Sequence, residues 1–376
     1  MRRQRQGRPS PGFFVPLGGG AVTRHTLPGL VDVHVHLRVP GGEHKETVAS
    51  GTAAALAGGV TALLAMPNTA PPITDGAALA DARRRHAGAL CDVGIFLGAT
   101  DANAAAAAEA AGGACGLKIY VDETYGPLRI ETLPALAAHF AAWPRGKPIV
   151  LHAEQVAVAT AIGLGATYGQ HVHIAHVSRA EEIALIADAK AAGLAVTCEV
   201  APHHLFLTAD DLPALGSFGL MRPPLARPAD RDALWAHLDA VDCIATDHAP
   251  HTREEKLGDR PPPGVPGLET TLPLMLTAVH DGRLTLDRLV ALTSTTPARL
   301  FGVPTPDESR VEVEIGPAWV LPERGYHTRA DWSPFAGMTV RGRVRTTTLR
   351  GAEVFRDGEV RTAEPRGRVL FGGAAG

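Results

Sequence analysis

A chain of 376 residues, 45% apolar and 20% charged, can bury a sizeable core, and its length admits two small domains or one barrel of roughly 250 residues with additions. A formal net charge of −3 supplies no long-range attraction for nucleic acid or an anionic membrane, so a small molecule is the expected partner. Cys91, Cys115, Cys198 and Cys243 each lie in or beside an apolar run with no Cys-x-x-Cys pair, which reads as core thiols in a reducing compartment, the cytoplasm, rather than disulfides.

Residues 1–11 are basic, and no apolar stretch of signal-peptide length follows them. They read as a flexible leader, with an organellar transit segment as the alternative. From residue 29 to about 250, short runs rich in Val, Ile and Leu alternate with Ala-rich segments of helical length. The strand candidates are 30–36, 60–66, 92–97, 116–121, 148–152, 171–177, 195–200 and 241–246. Helix candidates between them include 45–57, 75–86, 103–111, 132–142, 179–192 and 228–238. Several strand runs are apolar at nearly every position, as parallel strands covered on both faces should be. No Gly-x-Gly-x-x-Gly follows the first strand and no Gly-Lys-Ser/Thr phosphate loop occurs, which argues against an open nucleotide-binding sheet. The expected fold is therefore α/β, a (β/α)8 TIM-type barrel over residues 27–315.

Beyond the eighth strand, Arg260-Pro-Pro-Pro-Gly-Val-Pro-Gly267 is a rigid, turn-rich loop suited to shaping a pocket wall. Residues 268–279 and 286–292 read as helices, and Thr296-Pro297 starts another. Period-two alternation from Val311 and again from Met338 marks half-exposed strands. Residues 1–26 and 316–376 are expected to form a small β module from the two termini, ending in the Gly-rich stretch 372–376.

In a barrel the chemistry sits at the carboxyl ends of the strands. The polar residues ending these runs are His34 and His36, Asn68, Lys118, His152, His176, Glu199 and Asp247. His34 and His36, two apart on one strand, share a face. Imidazoles and a carboxylate converging in this way suit a divalent metal such as zinc, one ion with four ligands or two about 3.5–4 Å apart sharing a hydroxide. Lys118 is out of place beside cations unless burial makes it a neutral amine, which can take up CO2 as a carbamate and bridge two of them. Without the other ligands it would read as a surface lysine.

The motifs Asp32-Val-His34-Val-His36-Leu-Arg38, Met66-Pro-Asn68-Thr, Gly116-Leu-Lys118, His152-Ala-Glu154, His173-Ile-Ala-His176, Glu199-Val-Ala-Pro-His203-His204 and Thr246-Asp247-His248-Ala-Pro-His251 resemble the amidohydrolase superfamily. Within it the similarity is to the dihydroorotases, over about residues 27–360. The segments from Cys198 and from Arg260 are similar to the animal-type domain of the multifunctional pyrimidine-synthesis protein almost residue for residue.

The resemblance implies a zinc-dependent cyclisation of N-carbamoyl-L-aspartate to (S)-dihydroorotate. It implies two Zn2+ bridged by carboxylated Lys118 and hydroxide, one held with His34, His36 and Asp247, the other with His152 and His176. Asp247 would also carry the proton. Glu199 is the candidate for a third zinc, which is doubtful because Ala175 stands where the animal-type domain has cysteine. Arg38, Asn68, Arg222, His251 and Pro263 would bind substrate, and Thr124 and Tyr125 would lie on a loop that closes over it. The plainer alternatives are a surface charge for Arg222, a turn former for Asn68 and a loop residue for His251. Val39 replaces the usual glutamate after Arg38, an expected effect on loop stability rather than chemistry. A homodimer and an association with aspartate transcarbamoylase are the expected assemblies. The competing functions are another cyclic amidase, of hydantoinase or allantoinase type, and a catalytically silent partner of the transcarbamoylase.

Overall fold

The computed structural model describes residues 21–126, 128–362 and 364–371; the leader at 1–11 and the Gly-rich end at 372–376 lie outside the described residues. The strands in chain order are β1 (Thr23–Pro28), β2 (Leu30–Val35), β3 (Val60–Ala65), β4 (Asp92–Ile95), β5 (Leu97–Gly98), β6 (Leu117–Tyr120) and β7 (Ile149–His152). They continue with β8 (Val172–Ile174), β9 (Val196–Val200), β10 (Cys243–Ile244), β11 (Arg310–Val320), β12 (Thr339–Leu349), β13 (Ala352–Arg356) and β14 (Glu359–Val360).

Strands β2-β3-β4 and β5-β6-β7-β8-β9-β10 pair in parallel, each with its sequence neighbour. β4 and β5 are two parts of one run, interrupted at Phe96, whose N–H still bonds Ala65 O at 3.0 Å. The ring closes between first and last: Val35 bridges His248 in parallel, and His36 N–H donates to His248 O at 2.8 Å. Buried Asp32 tightens this seam by accepting from Thr246 Oγ1 at 2.6 Å and from the N–H groups of Thr246 and His34, each at 3.1 Å. The result is the (β/α)8 barrel, and among the described residues no helix is long and apolar enough to cross a membrane.

The outer helices start where the sequence supplies caps. Thr47, Asp75, Thr132 and Thr285 each accept a backbone N–H from the first turn of Val48–Ala57, Gly76–His86, Leu133–Ala142 and Leu286–Val290. Alternation along the strands sorts the side chains. Leu117, Ile119, Ile149, Leu151, Val172, Ile174, Cys198 and Val200 face the helices, whereas Val33, Leu64, Phe96, Val150, Ala175, Cys243 and Ala245 fill the barrel. Beyond the barrel, Leu268–His280 is followed by Leu286–Val290, whose continuation loosens into a π-turn at Ala291–Thr295 before Thr296–Phe301.

The module is a five-stranded antiparallel sheet, β1-β11-β12-β13-β14. The expected limits at 26 and 315 fall inside β1 and β11, which pair along Thr23–Pro28 and Arg310–Ile315. Its sheet lies close on the helix Leu268–His280: a Cβ on Gly342 would stand 2.3 Å from Leu276 Cβ. Glu46 and Glu269 also grip segment 327–329, Glu46 accepting from Arg329 N–H at 3.0 Å and from Thr328 Oγ1, Glu269 from the N–H groups of His327 and Thr328 at 3.0 Å. The tail departs from the expected module. Residues 367–370 return to β4, Val93 N–H donating to Arg368 O at 2.9 Å, and Leu370 packs against the barrel interior.

Candidate active site

Because β6 to β9 turn every second side chain inward, Lys118 and Tyr120, His152, His173, Thr197 and Glu199 project from successive strands into the barrel. Above them, at the carboxyl ends, opens a cavity whose space, open solvent at its mouth included, is about 380 Å³. His34, His36, Arg38, Asn68, Tyr120, Thr124, Tyr125, His152, His176, Arg222, Asp247 and Pro263 are in its lining. Lys118, Glu199 and His251 lie behind that lining, and each is buried.

His34, His176 and Asp247 offer ligand atoms within 4.8 Å of one another. Asp247 Oδ1 stands 3.3 Å from His34 Nε2 and 3.1 Å from His36 Nε2, and His152 Nδ1 lies 2.9 Å from His176 Nε2. Burial pushes His36 down to about 4 and His152 to about 3, so the rings are neutral, the form that ligates metal. Burial pushes the Asp247 carboxyl up, but His34 and His36 outweigh it and hold it well below the usual range.

The test of fit is what these atoms lack. Lys118 Nζ, His152 Nε2 and His176 Nδ1 are buried with no hydrogen-bond partner, a cost of about 1–3 kcal/mol for each such group. Imidazole nitrogens and carboxylate oxygen form a donor set for zinc, and the residues present fit a metal. Lys118 is fully buried, with Nζ 5.1 Å over the Tyr120 ring. Burial pushes its ammonium down to about 8 against the opposing pull of Glu199 and Asp247, so neutral amine is accessible near pH 7. Three site residues also hold positive φ, Arg38 at 60°, His176 at 35° and Asp247 at 44°. Non-glycine residues adopt this region at a cost of about 1–3 kcal/mol where the surroundings impose it.

Glu199 faces inward between two imidazoles rather than into the cavity. It accepts from His34 Nδ1, from His173 Nε2 at 3.2 Å and from His176 N–H at 3.3 Å. His173 Nδ1 is in turn 2.8 Å from Thr197 Oγ1. Burial pushes the Glu199 carboxyl up, but His34 and His173 outweigh it and keep it ionised. Ala175 contributes only a methyl to the apolar interior.

On the opposite wall Arg38 donates from Nε to Pro250 O at 3.2 Å, and its Nη2 is 3.1 Å from His251 Nε2. Asn68 is engaged at both ends, Oδ1 lying 2.8 Å from His36 Nδ1 and Nδ2 donating to Tyr125 O at 3.0 Å. It therefore orients a histidine and the 124–125 loop at once. His251 is turned away from the cavity, with Nε2 3.0 Å from Pro263 O and Nδ1 3.2 Å from Lys45 Nζ. Arg222 is half-buried in the lining, its side chain bonded only weakly to its neighbour's carbonyl, Met221 O, at 3.4 Å. Tyr125 closes the rim: its OH accepts from Lys45 Nζ at 3.0 Å, and its ring is 5.4 Å from the Arg38 guanidinium carbon.

Two neighbours of the site were not among the sequence candidates. Tyr120 lies two residues after Lys118, and the strand period alone would have flagged it. Lys45 has no such signal, because its partners Tyr125 and His251 are 80 and 206 residues away.

The amidohydrolase family model matches residues 26–306. Over 336 residues the chain is 50% identical to the multifunctional protein CAD of Squalus acanthias, covering 89% of this chain and 15% of that protein. The dihydroorotase of Halobacterium salinarum is 38% identical over 352 residues, covering 83% of this chain and 82% of that one. Among solved structures, the L-hydantoinase (dihydropyrimidinase) of Arthrobacter aurescens superposes with a TM-score of 0.86 at 26% identity, covering 93% of this chain and 89% of that one. The chain thus spans about 15% of the length of the multifunctional relatives it matches, but most of the length of the single-function ones. By the family match and by these identities, the chain belongs to the amidohydrolase family, on its dihydroorotase branch.

Proposed function

We propose that the chain catalyses the reversible cyclisation of N-carbamoyl-L-aspartate to (S)-dihydroorotate and water. The observation that carries this reading is the pairing, in one cavity, of a metal-binding residue set with the cations Arg38 and Arg222. An anionic carboxylate on the substrate calls for such cations, whereas an uncharged hydantoin ring does not. The identity to named dihydroorotases over most of their length supports the same choice.

His34, His36, His152, His176, Asp247 and Lys118, the last as its carbamate, would hold two zinc ions. Zinc there supplies a Lewis acid and lowers the pKa of water from 15.7 to about 7. Carbamate formation needs the neutral amine. Lys118 Nζ bonds the carbon of CO2 and loses one proton, a step favoured by its depressed pKa of about 8. In ring opening, Asp247 accepts the proton from the attacking water and delivers it to the departing amide nitrogen. In ring closure it returns that proton to the oxygen that leaves as water. A carboxylate held ionised by two imidazoles is reset in each cycle because it gives up the proton readily.

Arg38 holds the substrate carboxylate, and Arg222 adds a second cation. Asn68 fixes the His36 ring, while Thr124 and Tyr125 close over the cavity and exclude water. Glu199 serves as the support of His34 and not as the ligand of a third zinc. A homodimer, association with aspartate transcarbamoylase and a cytoplasmic location belong to the same proposal. Sedimentation of the full chain with and without the transcarbamoylase tests the first two. The activity is tested by incubating metal-replete protein with dihydroorotate and with hydantoin. Turnover of dihydroorotate supports the reading, turnover of hydantoin alone favours the hydantoinase type, and neither favours a silent partner.

A further inference from the structure

Lys256 takes no part in the chemistry above, yet it is fully buried, on the short helix Arg253–Leu257. Its Nζ donates to Leu220 O at 3.1 Å, Pro262 O at 3.0 Å and Gly264 O at 3.1 Å. An ammonium has three donors and no acceptor, so these three carbonyls take up all of its protons. All three acceptors belong to backbone, and they come from two separate segments of the cavity wall. Leu220 lies two residues before Arg222; Pro262 and Gly264 flank Pro263. The same two segments meet directly, Gly264 N–H donating to Leu220 O at 2.9 Å. Gly264 itself has φ +133°, and a Cβ there would stand 2.6 Å from Ala249 O, so the loop has little freedom to move inward.

The floor under the ammonium is Trp332, whose ring centroid is 5.5 Å from Nζ and whose Nε1 donates to His251 O at 2.8 Å. One buried cation therefore joins the segment carrying Arg222, the segment carrying Pro263, and the tryptophan that anchors the backbone of His251. We propose that Lys256 is a positioning residue that sets the substrate-facing wall, holding Arg222 and Pro263 at the distance the substrate requires. This rests on the reading of Arg222 and Pro263 as substrate-facing. Methionine would fill the same volume without a donor and leave the Pro262 and buried Gly264 carbonyls without this partner. Arginine could not replace it, because a planar fork cannot aim at three carbonyls arranged around a point.

The test uses the full, metal-replete chain carrying Lys256→Met, with Lys256→Gln as a milder companion. Hydrogen–deuterium exchange is followed at 216–222 and 260–266 and compared with β7. KM, kcat and metal content are measured with dihydroorotate. The expected result is exchange at least about tenfold faster in both segments with β7 unchanged, KM raised about tenfold or more, kcat within about threefold and metal content intact. Unchanged exchange in the two segments overturns the proposal. So does a matched loss of kcat and metal, or failure of both variants to fold, since either makes Lys256 a support of the whole barrel. A wild-type chain inert toward dihydroorotate would sink the activity reading alone, because exchange still decides the role of Lys256.

Discussion

Replacing Glu199 by glutamine separates support of a histidine from direct binding of a metal. The carboxylate accepts from His34 Nδ1, His173 Nε2 and His176 N–H. Glutamine keeps the volume but turns one acceptor into a donor, so one of the two imidazoles must change tautomer or face a donor with a donor. A hydrogen bond to a charged group contributes about 1.5–3 kcal/mol. Loss of the partner behind a metal-binding histidine lowers metal affinity about 10–100-fold, or about 1.4–2.8 kcal/mol. The two ranges overlap, as they should if the lost bond is the one that presents His34 to the metal. Competition with a chelator measures the affinity, and elemental analysis of saturated protein measures the stoichiometry. Weaker binding at unchanged stoichiometry is expected. Undiminished affinity would refute the supporting role, and loss of one whole metal equivalent would make Glu199 a ligand.

Lys118→Ala should lose turnover and metal together, with short carboxylic acids restoring part of the activity by occupying the place of the carbamate; a variant that keeps its metal and rate contradicts the bridging role. Glu46 supplies a pH test of the fold. Burial pushes its carboxyl up, but bonds from His248, Ser50 and Thr328 outweigh that and hold it below the ordinary value. A carboxyl lowered by folding contributes stability above its unfolded pKa, about 4.3, and loses it as pH falls through the folded value. The melting-temperature gap between wild type and Glu46→Gln should therefore shrink with acidification below about pH 4. A gap constant from pH 7 to about pH 3 would show that Glu46 is not the ionised anchor of segment 327–329.

The barrel was legible because strands covered on both faces must be apolar throughout and alternate with Ala-rich segments of helical length; the helix starts fixed by the caps Thr47, Asp75 and Thr132 came only with the structure. Val156–Tyr168 escaped the helix candidates: Val and Ala alternate at its start, Gly163 and Gly165 interrupt it, it carries no charge and it has no strong apolar face. The break at Phe96 was equally hidden, since a strand that hands over from one pairing to the next keeps its composition. The histidine and aspartate ligand types could be picked out because each lies at or just past the end of a strand, where the barrel geometry sends it to one mouth, whereas Lys118 is second in β6 and rises from below. Asn68 and His251 could be picked out as substrate-binding candidates, but their contacts were not legible: only the fold reveals that His251 backs onto Arg38 while Asn68 braces His36. Lys45 and the returning tail at 367–370 depend on partners distant in sequence, and Lys256 joins nearby carbonyls to Leu220 O, 36 residues away, so no local pattern announces them.

The most direct test of the account is the rate at which the purified, zinc-replete chain opens dihydroorotate, followed by loss of its ultraviolet absorbance and by the appearance of N-carbamoyl-aspartate. Turnover that vanishes on chelation and in Asp247→Asn is the expected result. A folded, metal-loaded chain that leaves dihydroorotate untouched would contradict it.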